Sequence, residues 1–596
     1  MKLIVPHTGE VQAADARLIH LAEFLGVTCE PLYLAKEVSQ LAEYIERATP
    51  DRNSCLVINP QVIRNWIGGD TLPANSLSSL VLRFPYALMH ALSLDPFVGK
   101  IVASVSGGKL QSVLPIADAT QSYEISSSPK DICGPFSGLS FGPINAENDR
   151  VLALSTDDST LRRLICIGGQ PNMVAVRRDQ TEILFLATED LLDVNCEIGP
   201  DSPRNYFSRL MPHAMALRHI FGEESWHPCK SHASIIIDDP LLRQDYGYLN
   251  FESLLRLTEQ HNFHTTISFI PHNYRRNSKR IVRMFRENPI RLSISFHGND
   301  HTDAEFASTN PVLLKRMLGI AEERMNVHEQ VTGLHCDRVM VFPQDNYSIE
   351  AMKVLKSRNF RAATSGPYPV GEAVPLTIAD FAQPAVLRYA GFPLFTRSFI
   401  KYTSSEDIAF NIFFGKPILV GEHHDAFKHP ESLLELVRKI NSIGPGISWS
   451  NLENIADNSI LKKRTSDGTI LVRPYSNKVC IENNSNCAKQ YYVEWRRSVS
   501  DSNVEQVLRD GTGFPEVEMD DEGIRILTEL PPGASQIFSI VYRNEQTAHG
   551  ELGFMWDARA YLRRRLSEVR DNYLSRNQPA LKAAKALQRR FLKRWI

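Results

Sequence analysis

The spacing of apolar and polar positions changes character three times along this chain, and each change predicts a different architecture. Through residues 1–225, short apolar runs alternate with amphipathic stretches. Runs at 3–5, 31–34, 55–58, 100–103, 151–154, 164–167 and 181–188 read as strands, whereas 14–25, 38–47 and 206–221 carry apolar residues at helical spacing. This alternation predicts a doubly wound parallel sheet with helices on both faces. Residues 226–460 repeat the pattern, with strands at 233–237, 264–269, 291–296, 338–342 and 417–421 and helices such as 251–260 and 349–358. From 461 to 547 the runs at 470–472, 478–482, 490–495, 524–527 and 536–542 are separated by Asn, Ser, Asp, Gly and Pro turns, which predicts a small β-sandwich. Residues 548–596 read as a basic helical tail. The fold class expected is therefore α/β multidomain.

Bulk properties narrow the class without choosing a function. A chain of 596 residues exceeds what one core supports. Its net charge of −2 gives no general pull toward nucleic acid. Nine scattered cysteines without a C-x-x-C pair argue against a disulfide framework and suit a reducing compartment. Pro6 and polar residues interrupt the N-terminal apolar run before a signal peptide could form, so a cytoplasmic location is expected.

The candidate chemistry lies where strands end. Ile235-Ile236-Ile237 runs into Asp238-Asp239, and Ile294-Ser295-Phe296 runs into His297-Gly298-Asn299-Asp300-His301. Parallel α/β folds place their chemistry at the C-terminal edge of the sheet. One carboxylate and two imidazoles form a three-ligand set for a divalent metal with open positions for water or substrate. The other carboxylate is then placed to take a proton from that water. Asp300 and Asp303 read as supporting or solvated groups. Ser106-Gly107-Gly108-Lys109 lacks the leading Gly and the Ser/Thr of a phosphate loop and reads as a tight turn.

In this order the motifs resemble the polysaccharide deacetylase family. Asp238-Asp239 matches the first motif, although Pro240 stands where Gly is usual. His297 and His301 match the second. Ile418-Leu419-Val420-Gly421-Glu422-His423-His424-Asp425 matches the last, a strand ending in a His-Asp pair. The resemblance implies a distorted β/α barrel over 226–460. It implies Asp239, His297 and His301 as ligands of Zn²⁺ or another divalent ion, Asp238 as general base and His424 as general acid. Pro343, Asp345, Tyr347 and Arg388 are the expected substrate-binding residues. One motif departs: Phe342 sits where the family's Arg orients the catalytic aspartate, and Arg388 is a candidate replacement. Ile165-Cys166-Ile167-Gly168-Gly169 is similar to a class I glutamine amidotransferase-like (flavodoxin-like) domain. Because Cys166 lies within its strand, a non-catalytic domain serving the barrel's mouth or a homodimer is expected.

The function expected is metal-assisted removal of an acetyl group from an amino sugar or other saccharide, nucleotide- or lipid-linked if the protein is cytoplasmic. Two other readings stay open. One is a carbohydrate-binding or assembly protein whose barrel has lost activity. The other is a glycoside hydrolase pairing Asp238 with Glu422 or Asp345. The tail is basic from Arg559 to Arg594, with Leu562, Leu566, Val569 and Tyr573 at helical spacing and Leu581, Leu587, Phe591, Leu592 and Trp595 beyond. It suits either an anionic membrane surface at the inner face or a helix packed on the protein.

Overall fold

The computed structural model describes residues 2–34, 54–69, 74–128, 130–155, 160–198, 206–302, 304–372, 374–496, 504–543, 552–574 and 579. The helix expected over 38–47, Asp303 and the apolar set from Leu581 to Trp595 lie outside them. Parallel and antiparallel sheets alternate with helices in a mixed α/β arrangement of several cores.

The N-terminal sheet has nine strands and is parallel only in part. Thr28–Tyr33, Lys2–His7, Ser54–Ile58, Tyr86–Met89 and Thr181–Leu186 lie parallel. Gln170–Arg178, Leu161–Ile167, Tyr123–Ile125 and Ser140–Phe141 continue it in antiparallel pairs. The expectation of an all-parallel, doubly wound sheet is thus corrected. Two of these strands are joined by the tight turn at Gly168-Gly169, which leaves no room for a crossover helix. The run at 100–103 is helical, inside Pro96–Ser106. Asp95 caps that helix by accepting from the Phe97 amide at 2.8 Å, Pro96 opens it, and Gly107 ends it at φ 68°. A four-residue window such as Lys100-Ile101-Val102-Ala103 is too short to show a period, and only the caps at either end distinguish it from a strand.

Residues His232–Asp238 begin the central sheet as β1, followed by β2 (Thr265–Phe269), β3 (Leu292–Phe296), β4 (Cys336–Val341), β5 (Ala362–Ser365), β6 (Leu394–Thr396) and β7 (Ile418–Glu422). Every residue of β1, β2 and β3 is buried, the pattern of a parallel sheet covered on both faces. The strand order is β6-β5-β4-β3-β2-β1-β7, with all pairs parallel. Just beyond β6, Ser398 donates to the Leu419 carbonyl and accepts from the Gly421 amide at 3.0 and 2.8 Å. That bridge joins the two edges, and the sheet curls into a ring. Register pairs Asp238 with Ser268, Phe269 with Phe296 and Ile237 with Glu422, so the strands end level and their following residues share one mouth.

Two further sheets enclose Val472, Val479, Val493, Ile526 and Phe538. They are tied to the ring where Asn359 exchanges two hydrogen bonds with the Tyr542 backbone. The tail returns to the ring as helix α1 (Phe554–Val569), extended by a wider turn over Arg570–Leu574.

Candidate metal centre

At the end of β1 the chain turns sharply, with Asp239 at φ 81°. His301, on the loop after β3, sits at φ 58°. Side-chain-bearing residues hold such conformations at a cost of about 1 kcal/mol or more, and they concentrate at functional sites. Gly298 makes the β3 loop possible. At its φ of 66°, a Cβ would lie 1.9 Å from Glu305 Oε1 and 2.7 Å from Pro343 Cγ. Glu305 then gathers the loop by accepting from the amides of Asn299, Asp300 and His301 at 2.7, 3.3 and 3.1 Å.

These turns bring three ligand atoms together. Asp239 Oδ1 lies 3.5 Å from His297 Nε2 and 3.4 Å from His301 Nε2. Despite its burial, that oxygen has no hydrogen-bond partner. His297 Nδ1 is 2.9 Å from the Val341 carbonyl, which fixes its proton there and leaves the Nε2 lone pair facing Asp239. Burial pushes His301 down to about 4, so its imidazole is neutral. Burial works to raise Asp239, yet His301, His297 and Arg564 outweigh it and hold the carboxyl well below its ordinary range. An orphaned carboxylate oxygen facing two imidazole nitrogens fits a divalent cation, and two nitrogens with one oxygen is a donor set suited to zinc. Trp556 Nε1 and Thr302 donate to the neighbouring Asp300, a buried support for the loop.

Asp238 is fully enclosed beside this trio. It accepts from Ser268 Oγ at 2.7 Å, and Arg397 Nη1 lies 3.0 and 2.9 Å from its two oxygens. Arg397 also donates through Nε to Asp345 at 2.9 Å. Burial raises the Asp238 carboxyl, but Arg397, His297 and His423 together bring it below the ordinary carboxylate range. The guanidinium beside Asp238 therefore comes from just after β6, not from the position of Phe342 and not from Arg388, which is exposed. The short strand Leu394-Phe395-Thr396 running into Arg397 is the available sequence signal, a fourth strand ending at a charged residue.

Other expected residues are placed differently. Tyr347 is 0% exposed, stacks on Phe342 with ring centroids 5.0 Å apart and donates to the Gly366 carbonyl. It is core and cannot line a substrate cleft. Pro343 is buried behind Gly298, and Asp345 holds Arg397. His424 is buried against Tyr246 and Tyr248. A Cβ on Gly247 would lie 2.2 Å from its Nδ1, so glycine is needed there. His424 Nε2 lies 3.6 Å from Asp571 of the tail. His423 is exposed at the rim; partial desolvation by its neighbours lowers its pKa, but Asp238, Asp239 and Asp425 raise it overall. In the N-terminal sheet, Cys166 lies inside a strand and burial pushes its thiol up, away from the thiolate a nucleophile needs.

The tail covers this mouth through its polar face. Arg564 Nη1 is 4.0 Å from Asp239 Oδ1, and its Nη2 donates to the His301 carbonyl at 3.4 Å. Leu562, Leu566, Val569 and Tyr573, the residues that a packed helix should bury, point outward. The helix is thus packed on the protein, but through its charged face and not through the apolar stripe. Among the described residues, no helix is long and apolar enough to cross a membrane.

No protein-family model and no curated protein matches the sequence. Among solved structures, a novel carbohydrate deacetylase, Agd3, superposes with a TM-score of 0.46 at 8% identity, covering 90% of this chain and 98% of its own. A family 4 carbohydrate esterase from Streptomyces lividans in complex with acetate gives 0.24 at 12% identity, over 38% of this chain and 93% of its own. A family 4 acetyl xylan esterase from Clostridium thermocellum, in complex with a cobalt ion, gives 0.25 at 12% identity over 38% and 90%. Scores and identities this low assign no residue a role. These three structural neighbours are carbohydrate deacetylases or esterases.

Proposed function

We propose that this protein is a metal-dependent hydrolase that removes an acetyl group from an amino sugar or another acetylated saccharide. The observation that carries this reading is the orphaned Asp239 oxygen facing the Nε2 atoms of His297 and His301, beside an ionised Asp238. Asp239, His297 and His301 would hold the ion, Zn²⁺ by their chemistry. Bound there, it would acidify a water and polarise the acetyl carbonyl. Asp238 takes the proton from the attacking water, and Arg397 with Ser268 keeps its carboxylate ionised and aimed. His424 gives a proton to the departing amine or alkoxide. A second assignment gives that role to His423, favoured by the charges of Asp238 and Asp239 that act on it.

Phe342 was the best support for an inactive carbohydrate-binding protein, and Arg397 removes its force. The glycoside hydrolase reading is weakened because Asp345 is tied to Arg397 and Glu422 accepts from the Ile400 amide at 2.8 Å. On this reading the ring is a distorted β/α barrel over 226–460. The flanking units are a non-catalytic domain over 1–225, a β-sandwich over 461–547 and the tail over 548–596. Partners are the saccharide and, through the outward apolar and basic surface of α1, an anionic membrane; binding to anionic but not neutral vesicles tests the latter.

The function is tested by acetate release from N-acetylated oligosaccharides with divalent metal supplied. Asp238→Asn should keep the metal and lose at least about a hundredfold in rate, the usual weight of a general base. Acetate release at the wild-type rate by this variant overturns the assignment. Comparing His424→Gln with His423→Gln separates the two acids.

A further inference from the structure

We propose that residues 554–574 form a cap that shuts the ring's mouth, and that a saccharide reaches the reacting groups only when the cap lifts. The inference rests on the hydrolase reading for what enters, and on geometry alone for the closure.

With the segment docked, Asp238 and His297 are 3% and 1% exposed, and His301 and His424 are buried as well. The cap also engages groups that the reaction needs. Asp571 lies at His424 Nε2, the nitrogen a leaving group would have to meet, and Arg564 lies against the metal-ligand face of Asp239. Docking and turnover therefore compete for the same atoms. Further contacts fasten the segment at the rim. Trp556 Nε1 donates to Asp300 Oδ2 at 2.7 Å, Arg276 pairs with both oxygens of Glu568, Tyr246 donates to Asp571 Oδ2 at 2.9 Å, and Asn572 accepts from the Gly247 amide at 2.9 Å.

The manner of attachment suits a part that opens. An amphipathic helix normally buries its apolar stripe. Here Leu562, Leu566 and Tyr573 are 60%, 61% and 74% exposed, and the inward face carries Arg564, Glu568 and Asp571, with Trp556 and the small Ala560 as its apolar contacts. Polar contacts exchange nearly evenly with water, whereas apolar burial does not. A segment held by such contacts belongs to the low-stability end of a fold, where local opening occurs without global unfolding.

The test uses the full chain and histidine carbethoxylation by diethyl pyrocarbonate, read at His424 by peptide mass spectrometry. Arg276→Glu breaks the rim pair without touching the reacting groups. It should raise the labelling rate of His424 about tenfold, the weight of one charge-assisted pair on an opening equilibrium. The double variant Arg276→Glu with Glu568→Arg should return it to the wild-type rate. If Arg276→Glu lowers the melting temperature globally, Trp556→Phe, which removes the Asp300 bond and keeps an aromatic ring against the core, takes its place. Equal labelling in wild type and the folded rim variant overturns the cap. Raised labelling with faster acetate release supports it. Raised labelling with slower release overturns it, because the segment would then be a working wall of the site. Raised labelling with no acetate release from any variant leaves the cap standing and overturns the hydrolase reading instead.

Discussion

The ring carries a His/Asp/Glu trio at each end, and only one has the electronic character of a metal site. At the mouth are Asp239, His297 and His301; at the base are His335, Asp337 and Glu453, and both sets bring their ligand atoms within 4.8 Å. Their surroundings differ. His335 Nε2 lies 2.8 Å from Glu453 and its Nδ1 3.1 Å from Glu329, so both nitrogens are used. Those partners, Glu453 foremost, push His335 up to about 9, and it stands protonated. Burial raises Glu453, but His335 and Arg361 bring it down to about 2. At the mouth, burial holds His301 at about 4 and leaves it neutral, while Asp239 Oδ1 has no hydrogen-bond partner. A metal needs neutral imidazole and an unspent oxygen. Proximity is common to both ends; unsatisfied donors are found at one.

The largest difference should appear in metal content. His297→Ala with His301→Ala removes two of three ligands and should lower affinity for Zn²⁺ by at least two orders of magnitude, about 3 kcal/mol or more. His335→Ala should leave stoichiometry and affinity at wild-type values. Both are read by competition with a chromophoric chelator. Metal lost from the base variant and kept by the mouth variant would reverse the comparison.

The mouth also has more to lose when one charge is removed. Arg397 is buried between Asp238 and Asp345, so Arg397→Met leaves Asp238 enclosed without its cation. Breaking a buried pair from one side costs about 3–5 kcal/mol. Urea unfolding in a chelating buffer should show a loss of that order. A change below about 1 kcal/mol, as expected of an exposed pair such as His335 with Glu329, would mean that the Asp238 carboxylate finds its compensation elsewhere.

This contrast also explains what was legible in the sequence. Asp238-Asp239 and His297-x-x-x-His301 each follow an apolar strand end, Ile235-Ile236-Ile237 and Ile294-Ser295-Phe296, so local order alone brings both to one edge. Arg397 was missed because its strand is only three residues long and its partner lies 159 positions away. Tyr347 was misplaced because an aromatic residue after a strand end can face a cleft or the core, and its stacking on Phe342 is visible only in three dimensions. The helix over Pro96–Ser106 resembles a strand when only Lys100 to Ala103 is considered, because four residues show no period; Asp95, Pro96 and Gly107 are the signals that mark it as a helix. The tail's helix was legible, but its orientation was not. Apolar spacing predicts the buried face only when burial is apolar, and here Arg564, Glu568 and Asp571 meet a charged mouth.

The smallest effect belongs to the base and has a definite pH signature. Asp337 is buried, and burial together with Glu453 pushes its carboxyl up to about 7. In the unfolded chain it titrates near its ordinary value of about 3.9. A folded pKa above the unfolded one gives stability that is fully present below about pH 4 and is lost as pH rises through about 7. Asparagine does not titrate, yet it can still accept the Leu452 amide that Asp337 Oδ2 now takes at 3.1 Å. The stability of Asp337→Asn minus that of wild type should therefore rise between pH 4.5 and pH 8 and then level off. Its total should be on the order of 1–2 kcal/mol once relaxation of the site is allowed for. Chemical unfolding of both proteins across that range measures it, and the difference cancels the titrations they share. A flat difference would mean that Asp337 is ionised throughout, held by His335 in the manner of an ordinary ion pair. The base would then differ from the mouth only in its spent nitrogens and not in the charge it carries.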